Sequence, residues 1–139
     1  MNMPSTVVAI VDDEEPIRRA WMRLLRSAGI ESQGFASGLE FLESLATHEP
    51  DCVVLDLNMP GMTGFDVLSR LRANRDHIPV IVVTGYHSGD IERRANSAHP
   101  IAYLRKPMDD QQLLDAVERA FAARGKAADR SGTINASSK

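Results

Sequence analysis

The chain reads as an α/β protein, a three-layer α/β/α sandwich around a doubly wound five-stranded parallel sheet, and three observations predict it. Short, continuous apolar runs rich in β-branched residues recur at 6–11 (TVVAIV), 52–55 (CVVL) and 80–83 (VIVV), which is how strands buried on both faces of a parallel sheet read. Segments with apolar residues at helical spacing lie between them. The 139 residues, 43% hydrophobic and 25% charged, suffice for one domain with a core and are too few for two ordinary ones.

Taken in order, the 6–11 run is followed by Ile17, Ala20, Trp21, Leu24, Leu25 and Ala28 at helical spacing, stopping at Gly29. Residues 31–36 form a weaker strand, expected at a sheet edge. Ser37 and Glu40 have capping-box spacing ahead of Leu42 and Leu45. After the 52–55 strand, Thr63, Phe65, Leu68 and Leu71 outline a third helix. The 80–83 strand leads to the weakest helix, 88–98, where only Ile91, Ala95 and Ala98 make an apolar stripe beside Glu92, Arg93, Arg94 and Asn96; loose packing is expected there. Residues 101–104 (IAYL) are the fifth strand, and Asp109 with Gln112 precedes the helical pattern of Leu113, Leu114, Val117 and Phe121. Five βα units imply parallel strands with helices on both faces. From Gly125 the residues are small and polar, so 1–124 is read as the domain and 125–139 as a disordered tail or truncated linker.

A net charge of -3 offers no global attraction for nucleic acid or an anionic membrane. The single cysteine, Cys52, sits inside an apolar run, cannot form an internal disulfide and suits a reducing compartment. The start, MNMP, lacks the basic and apolar regions of a signal peptide, and no apolar run approaches a membrane span. A cytoplasmic location is expected.

Ligands of open parallel sheets bind outside the carboxyl ends of the strands. Here the first strand ends in Asp12-Asp13, the third in Asp56, the fourth in Thr84-Gly85 and the fifth in Arg105-Lys106-Pro107. Singly, each has an ordinary reading: Asp12 or Asp13 could cap a helix, Lys106 could be a solvated surface lysine, and Thr84 could open the next helix. Together they aim carboxylates, a hydroxyl and an ammonium at one small volume. Like charges so placed repel and call for a cation, and hard oxygen ligands with room for water and phosphate suit Mg²⁺. A carboxylate can also act as a nucleophile and form an acyl phosphate, with Lys106 and Thr84 covering the phosphoryl oxygens and Gly85 leaving room for the group to enter.

The motifs VDDE, LDLNMPGMTG, VTG and YLRKP, in this order over about residues 5–124, resemble the CheY-like receiver domains of bacterial two-component response regulators. The runs GFASGLEFL and DLNMPGMTG look most like the subgroup joined to a C-terminal helix-turn-helix domain. The resemblance implies a flavodoxin-like strand order 2-1-3-4-5. It implies that Asp56 accepts a phosphoryl group from the phosphohistidine of a histidine kinase or a histidine phosphotransfer protein. Asp12, Asp13, Asp56 and the backbone carbonyl of Asn58 would hold Mg²⁺, and Lys106 would pair with the phosphoryl oxygens. Thr84 would swing to the phosphate while Tyr103 moves inward, and Pro107 would follow a cis bond. The fourth helix, fifth strand and fifth helix would form the output face, through which a phosphorylated homodimer is implied. Such a module catalyses its own phosphorylation and dephosphorylation without being an enzyme in the ordinary sense. It would be a stand-alone receiver, the reading the small polar tail favours, or the N-terminal part of a transcription regulator. Where the family often has Gly-Ala before the fifth strand, this chain has His99-Pro100.

Two rivals were weighed. A haloacid-dehalogenase-type Mg²⁺ phosphatase expects a second Asp two residues after the nucleophile, where Asn58 stands. A binding module that never takes up phosphate would have no use for the full set Asp12, Asp13, Asp56, Thr84 and Lys106.

Overall fold

Strands and helices alternate throughout: β1 (Val7–Val11), α1 (Glu15–Ser27), β2 (Glu31–Phe35), α2 (Gly38–Ser44), β3 (Cys52–Asp56), α3 (Gly64–Asn74), β4 (Val80–Thr84), α4 (Gly89–Asn96), β5 (Ala102–Arg105) and α5 (Asp110–Ala136). This computed structural model describes the backbone of residues 6–136 and the side chains of residues 6–124. All neighbouring strands run parallel in the order β2-β1-β3-β4-β5. The expected α/β class and strand order are both present.

Side chains alternate across each strand, and the burial follows. Ala9, Val11, Val53, Leu55, Val80 and Val82 pack with Phe41 of α2 and Val67, Leu68 and Leu71 of α3. Val8, Ile10, Cys52, Val54, Ile81 and Val83 face the other way, against Leu25 of α1 and Leu113, Val117 and Ala120 of α5. Every residue of β3 and β4 is buried, because both strands have neighbours on either side and helices on both faces. The edge position expected for β2 is observed. The run at 101–104 takes the opposite edge, as the order 2-1-3-4-5 requires: β5 is only half-buried and its last residue, Arg105, is exposed.

The helix starts show how local chemistry sets the boundaries. Ser37 Oγ accepts from the Glu40 amide, while Glu40 Oε1 accepts from the amide of Ala36, one residue before the cap, so only half of the expected box forms in its usual pairing. Asp109 and Gln112 make the full reciprocal pair at 3.0 Å each way. Thr63 and Asp66 form a capping box that the sequence reading passed over. The N-cap of α1 is Glu14, with no side-chain bond; Asp12 Oδ1 instead accepts from the Glu14 amide at 2.8 Å. The chain leaves α1 through Gly29 at φ +80°, a conformation that costs glycine little.

Helix α4 buries only Ala95, with Ile91 and Ala98 half-buried beside it, in keeping with its thin apolar stripe. It ends at Asn96, ahead of Pro100. Its carboxyl end is held from α3 by Arg72, whose Nε donates to the Ala98 carbonyl at 2.8 Å. Burial raises the pKa of the Cys52 thiol well above its ordinary range, which leaves it unreactive. No helix among the described residues is long and apolar enough to cross a membrane. The backbone of α5 continues past Gly125 to Ala136; the side chains after Arg124 and the whole of residues 137–139, on which the reading of 125–139 as a tail or linker also falls, lie outside the described residues.

Phe41 is fully buried and meets Phe35 edge-to-face at 5.5 Å. Phe41→Ala is therefore expected to lower stability by about 3–5 kcal/mol, read as a shift of the urea unfolding midpoint with an unchanged slope.

Candidate functional site: an acidic mouth at the carboxyl edge of the sheet

The parallel register assembles the site. Val11 lies opposite Leu55, so the residues that follow them, Asp12 and Asp56, leave the sheet side by side. Asp56 is opposite Val83, and Thr84 opposite Arg105, which brings Lys106 to the same edge. Backbone bonds hold these ends past the last paired residues: the Leu57 amide donates to the Val83 carbonyl at 2.9 Å and the Lys106 amide to the Thr84 carbonyl at 2.8 Å. Gly64 opens α3 directly behind Asp56, where an added Cβ would fall 2.3 Å from the Asp56 carbonyl oxygen. A side chain there would push backbone against backbone. The glycine at the end of LDLNMPGMTG thus lets the first turn of α3 rest on the segment that carries the carboxylate.

Asp12 and Thr84 are wholly buried and Asp56 is 2% exposed, whereas Asp13 is exposed. Asp12, Asp13 and Asp56 each present a carboxylate oxygen, all within 4.8 Å of one another. Lys106 Nζ lies 3.1 Å from Asp12 Oδ2 and 3.6 Å from Asp56 Oδ1. A further carboxylate, Glu14, reaches the same ammonium at 3.6 Å; the sequence reading did not single it out. The only tryptophan of the chain, Trp21, has its ring centroid 5.7 Å from Nζ.

Burial, with Asp12 and then Asp13 adding like charge, pushes the Asp56 carboxyl up to about 6, although Lys106 and the Asn58 amide work against the rise. Burial alone would lower Lys106, yet Asp56, Asp12 and Glu14 together hold it above its ordinary value. The lysine is a permanent cation here, and it is shared among more negative charge than it can neutralise.

Thr84 and Asn58 frame the mouth from the β4 side. Thr84 Oγ1 donates to the Tyr86 carbonyl at 2.8 Å and accepts from the Tyr86 amide at 3.1 Å. Asn58 Oδ1 lies 3.3 Å from the same hydroxyl, and the Asn58 amide donates to Asp56 Oδ1 at 3.2 Å. Tyr103 stands apart from this group. It is opposite Val82 on β5, which by alternation puts it on the same face of the sheet as Thr84, but its hydroxyl is bonded to His87 Nδ1 at 2.9 Å. His87 belongs to no motif singled out along the chain, because no ligand spacing marks it. The Lys106–Pro107 peptide bond is cis.

The model of the response regulator receiver domain matches residues 8–118. The chain belongs to this family. The receiver domain is 38% identical over 114 residues to Nodulation protein W of Bradyrhizobium diazoefficiens, covering 82% of this chain and 50% of that one. It is 35% identical over 119 residues to the DNA-binding transcriptional regulator NtrC of Escherichia coli, covering 86% of this chain and 25% of that one. Among solved structures, a CheY-like receiver domain protein from Methanospirillum hungatei superposes with a TM-score of 0.84 at 25% identity, covering 89% of this chain and 99% of the other. The receiver domain thus spans a quarter to a half of these curated relatives' length. The phosphatase reading is not favoured.

Because the folded value of Asp56 lies above its ordinary 3.8, ionising it opposes folding. That cost is absent below about 3.8, grows as pH rises through the window, and is complete above about 6. In the metal-free protein, Asp56→Asn should therefore raise stability at pH 7.5 by up to about 3 kcal/mol. The gain should vanish by pH 3.5, measured by urea unfolding at both pH values in the presence of a chelator.

Proposed function

We propose that this receiver domain is the phosphoacceptor of a two-component pathway, with Asp56 as the acceptor. The observation that carries the reading is one nearly inaccessible carboxylate, 2% exposed, set within 3.6 Å of a lysine ammonium at the tip of a strand buried throughout. An Asp56 oxygen would attack the phosphorus of a phosphohistidine on a histidine kinase or phosphotransfer protein. The P–N bond breaks, an acyl phosphate forms, and the imidazole leaves and takes up a proton. Such transfer asks mainly for positioning and charge neutralisation. Rigid β3 and the first turn of α3 supply the positioning, and Lys106 Nζ supplies part of the neutralisation.

The three convergent carboxylates are an all-oxygen donor set that fits Mg²⁺. Asp12, Asp13, Asp56 and the Asn58 carbonyl would hold it. When bound, Mg²⁺ would screen the carboxylates and the phosphoryl oxygens. Thr84 Oγ1 would turn from the Tyr86 carbonyl to a phosphoryl oxygen, and Tyr103 would swing inward into the space released. The face of α4, β5 and α5 then changes shape, a local charge change read out by a two-state element, and a homodimer through that face is one output. Within a longer protein the output would be transcriptional, in the manner the name of the NtrC relative indicates. The domain acts once per phosphoryl group and hydrolyses its own acyl phosphate, so it is a signalling acceptor rather than a turnover enzyme, working in the cytoplasm.

Incubation with Mg²⁺ and a small acyl or amido phosphate should add one phosphoryl group, seen in the intact mass. The adduct should be absent in Asp56→Asn and when Mg²⁺ is chelated; an unmodified parent protein would overturn the reading. Turnover of many phosphate esters per chain would favour the phosphatase instead. Trp21 near Lys106 makes Mg²⁺ binding visible as a saturable change in tryptophan fluorescence, and Asp13→Asn should weaken it roughly tenfold or more.

A further inference from the structure

The Tyr103 hydroxyl has a partner that the proposed switch does not use. His87 Nδ1 lies 2.9 Å from it, and the two rings meet edge-to-face with centroids 5.8 Å apart. On its far side His87 Nε2 faces Glu92 Oε1 of α4 at 3.8 Å. Burial and the Glu92 charge raise the pKa of the Tyr103 phenol, against Arg105, so the phenol keeps its proton. The phenol O–H and Nδ1 share one hydrogen bond, its donor set by the ring tautomer, and Nε2 faces Glu92. Tyr103 on β5, His87 in the β4–α4 connection and Glu92 in the first turn of α4 thus form one polar chain. It joins the aromatic to α4, whose one buried residue is Ala95.

We propose that His87 is a positioning residue of the switch: it latches Tyr103 at the outer edge of the sheet, and its bond to the hydroxyl must break before the ring turns towards Thr84. This deepens the phosphoacceptor reading and rests on it. The latch opposes inward rotation without touching the reacting atoms. Its strength sets how much of the inward form is populated before any phosphoryl group arrives. When the ring leaves, His87 loses its partner and Glu92 loses a fixed neighbour, so the departure is transmitted to α4. One such hydrogen bond is worth a bias of roughly 2- to 10-fold. A preformed inward population tightens apparent ligand affinity by the same factor.

The test uses the full chain with 3-fluorotyrosine, carrying Tyr86→Phe so that Tyr103 gives the one remaining tyrosine signal. His87→Phe keeps an aromatic edge and removes the hydrogen-bonding ring nitrogen. It should move the Tyr103 fluorine resonance towards its position in the Mg²⁺–beryllofluoride complex with no ligand added, and lower the half-saturating beryllofluoride concentration by roughly 2- to 10-fold. His87→Ala should do the same without a ring, which covers the case in which phenylalanine disturbs the loop. His87→Asn, with an amide oxygen near the place of Nδ1, should return both readouts towards the parent. In a Tyr103→Phe background, His87→Phe should leave beryllofluoride affinity unchanged, an outcome a merely structural histidine would not produce. Unchanged fluorine shift and affinity in both His87→Phe and His87→Ala, or an equal effect on affinity in the Tyr103→Phe background, would overturn the latch. Failure of beryllofluoride to bind the parent would instead overturn the phosphoacceptor reading, while the fluorine shift without ligand would still decide the role of His87.

Discussion

The fold is arranged around an electrostatic conflict: Asp12, Asp13 and Asp56 bring carboxylate oxygens within 4.8 Å of one another at the edge of a dry sheet. At that separation and an effective dielectric of about 20, each like-charged pair repels by about 3 kcal/mol. One ammonium cannot offset this, since Lys106 is already divided among Asp12, Asp56 and Glu14. The remaining conflict appears as an Asp56 carboxyl raised to about 6, and it makes the mouth receptive to a cation. Such a site persists only if the surrounding structure holds the carboxylates in place. β3 buried along its whole length, the amide of Leu57 tied to β4, and α3 resting on the backbone through Gly64 supply that hold.

The same mouth connects to a softer part of the molecule. Thr84 is buried among the rigid strand ends, yet its hydroxyl is engaged with the backbone of Tyr86, where the chain departs for α4. That helix buries only Ala95, and elements with few buried contacts sit at the low end of local stability. Its carboxyl end is anchored by Arg72, and its amino end is capped by Ser88, whose Oγ accepts from the Ile91 amide. Rigid strand ends and a weakly buried helix thus meet across one loop.

Much of this was legible along the chain, for a definite reason. Strands β1, β3 and β4 are buried on both faces and declare themselves as unbroken apolar runs, while capping residues such as Ser37 and Asp109 act within a few residues of their own helix. The harder elements are those whose environment is set from elsewhere. The run at 101–104 is as apolar as a central strand, but nothing pairs with its outer side, so β5 is only half-buried. The Thr63–Asp66 box is local and could have been read from its spacing; attention to the apolar stripe alone missed it. Asp12 stands two residues before the N-cap of α1 and divides its carboxylate between the Glu14 amide and Lys106, which lies 94 positions away.

By itself the sequence determined the βα alternation, the class of the sheet and the polar cluster Asp12, Asp13, Asp56, Thr84 and Lys106, because each strand run delivers its polar residue at its own carboxyl end. Only the tertiary structure decided how those groups share charge and which neighbours join them. Glu14 closes on Lys106 and His87 on Tyr103 through contacts that bridge separate elements. The bond between Tyr103 and His87 spans 16 positions and two strands, and no periodicity encodes it. Hydrogen-bond partners are chosen by distance in space, and distance across a parallel sheet is set by register and crossover rather than by spacing along the chain.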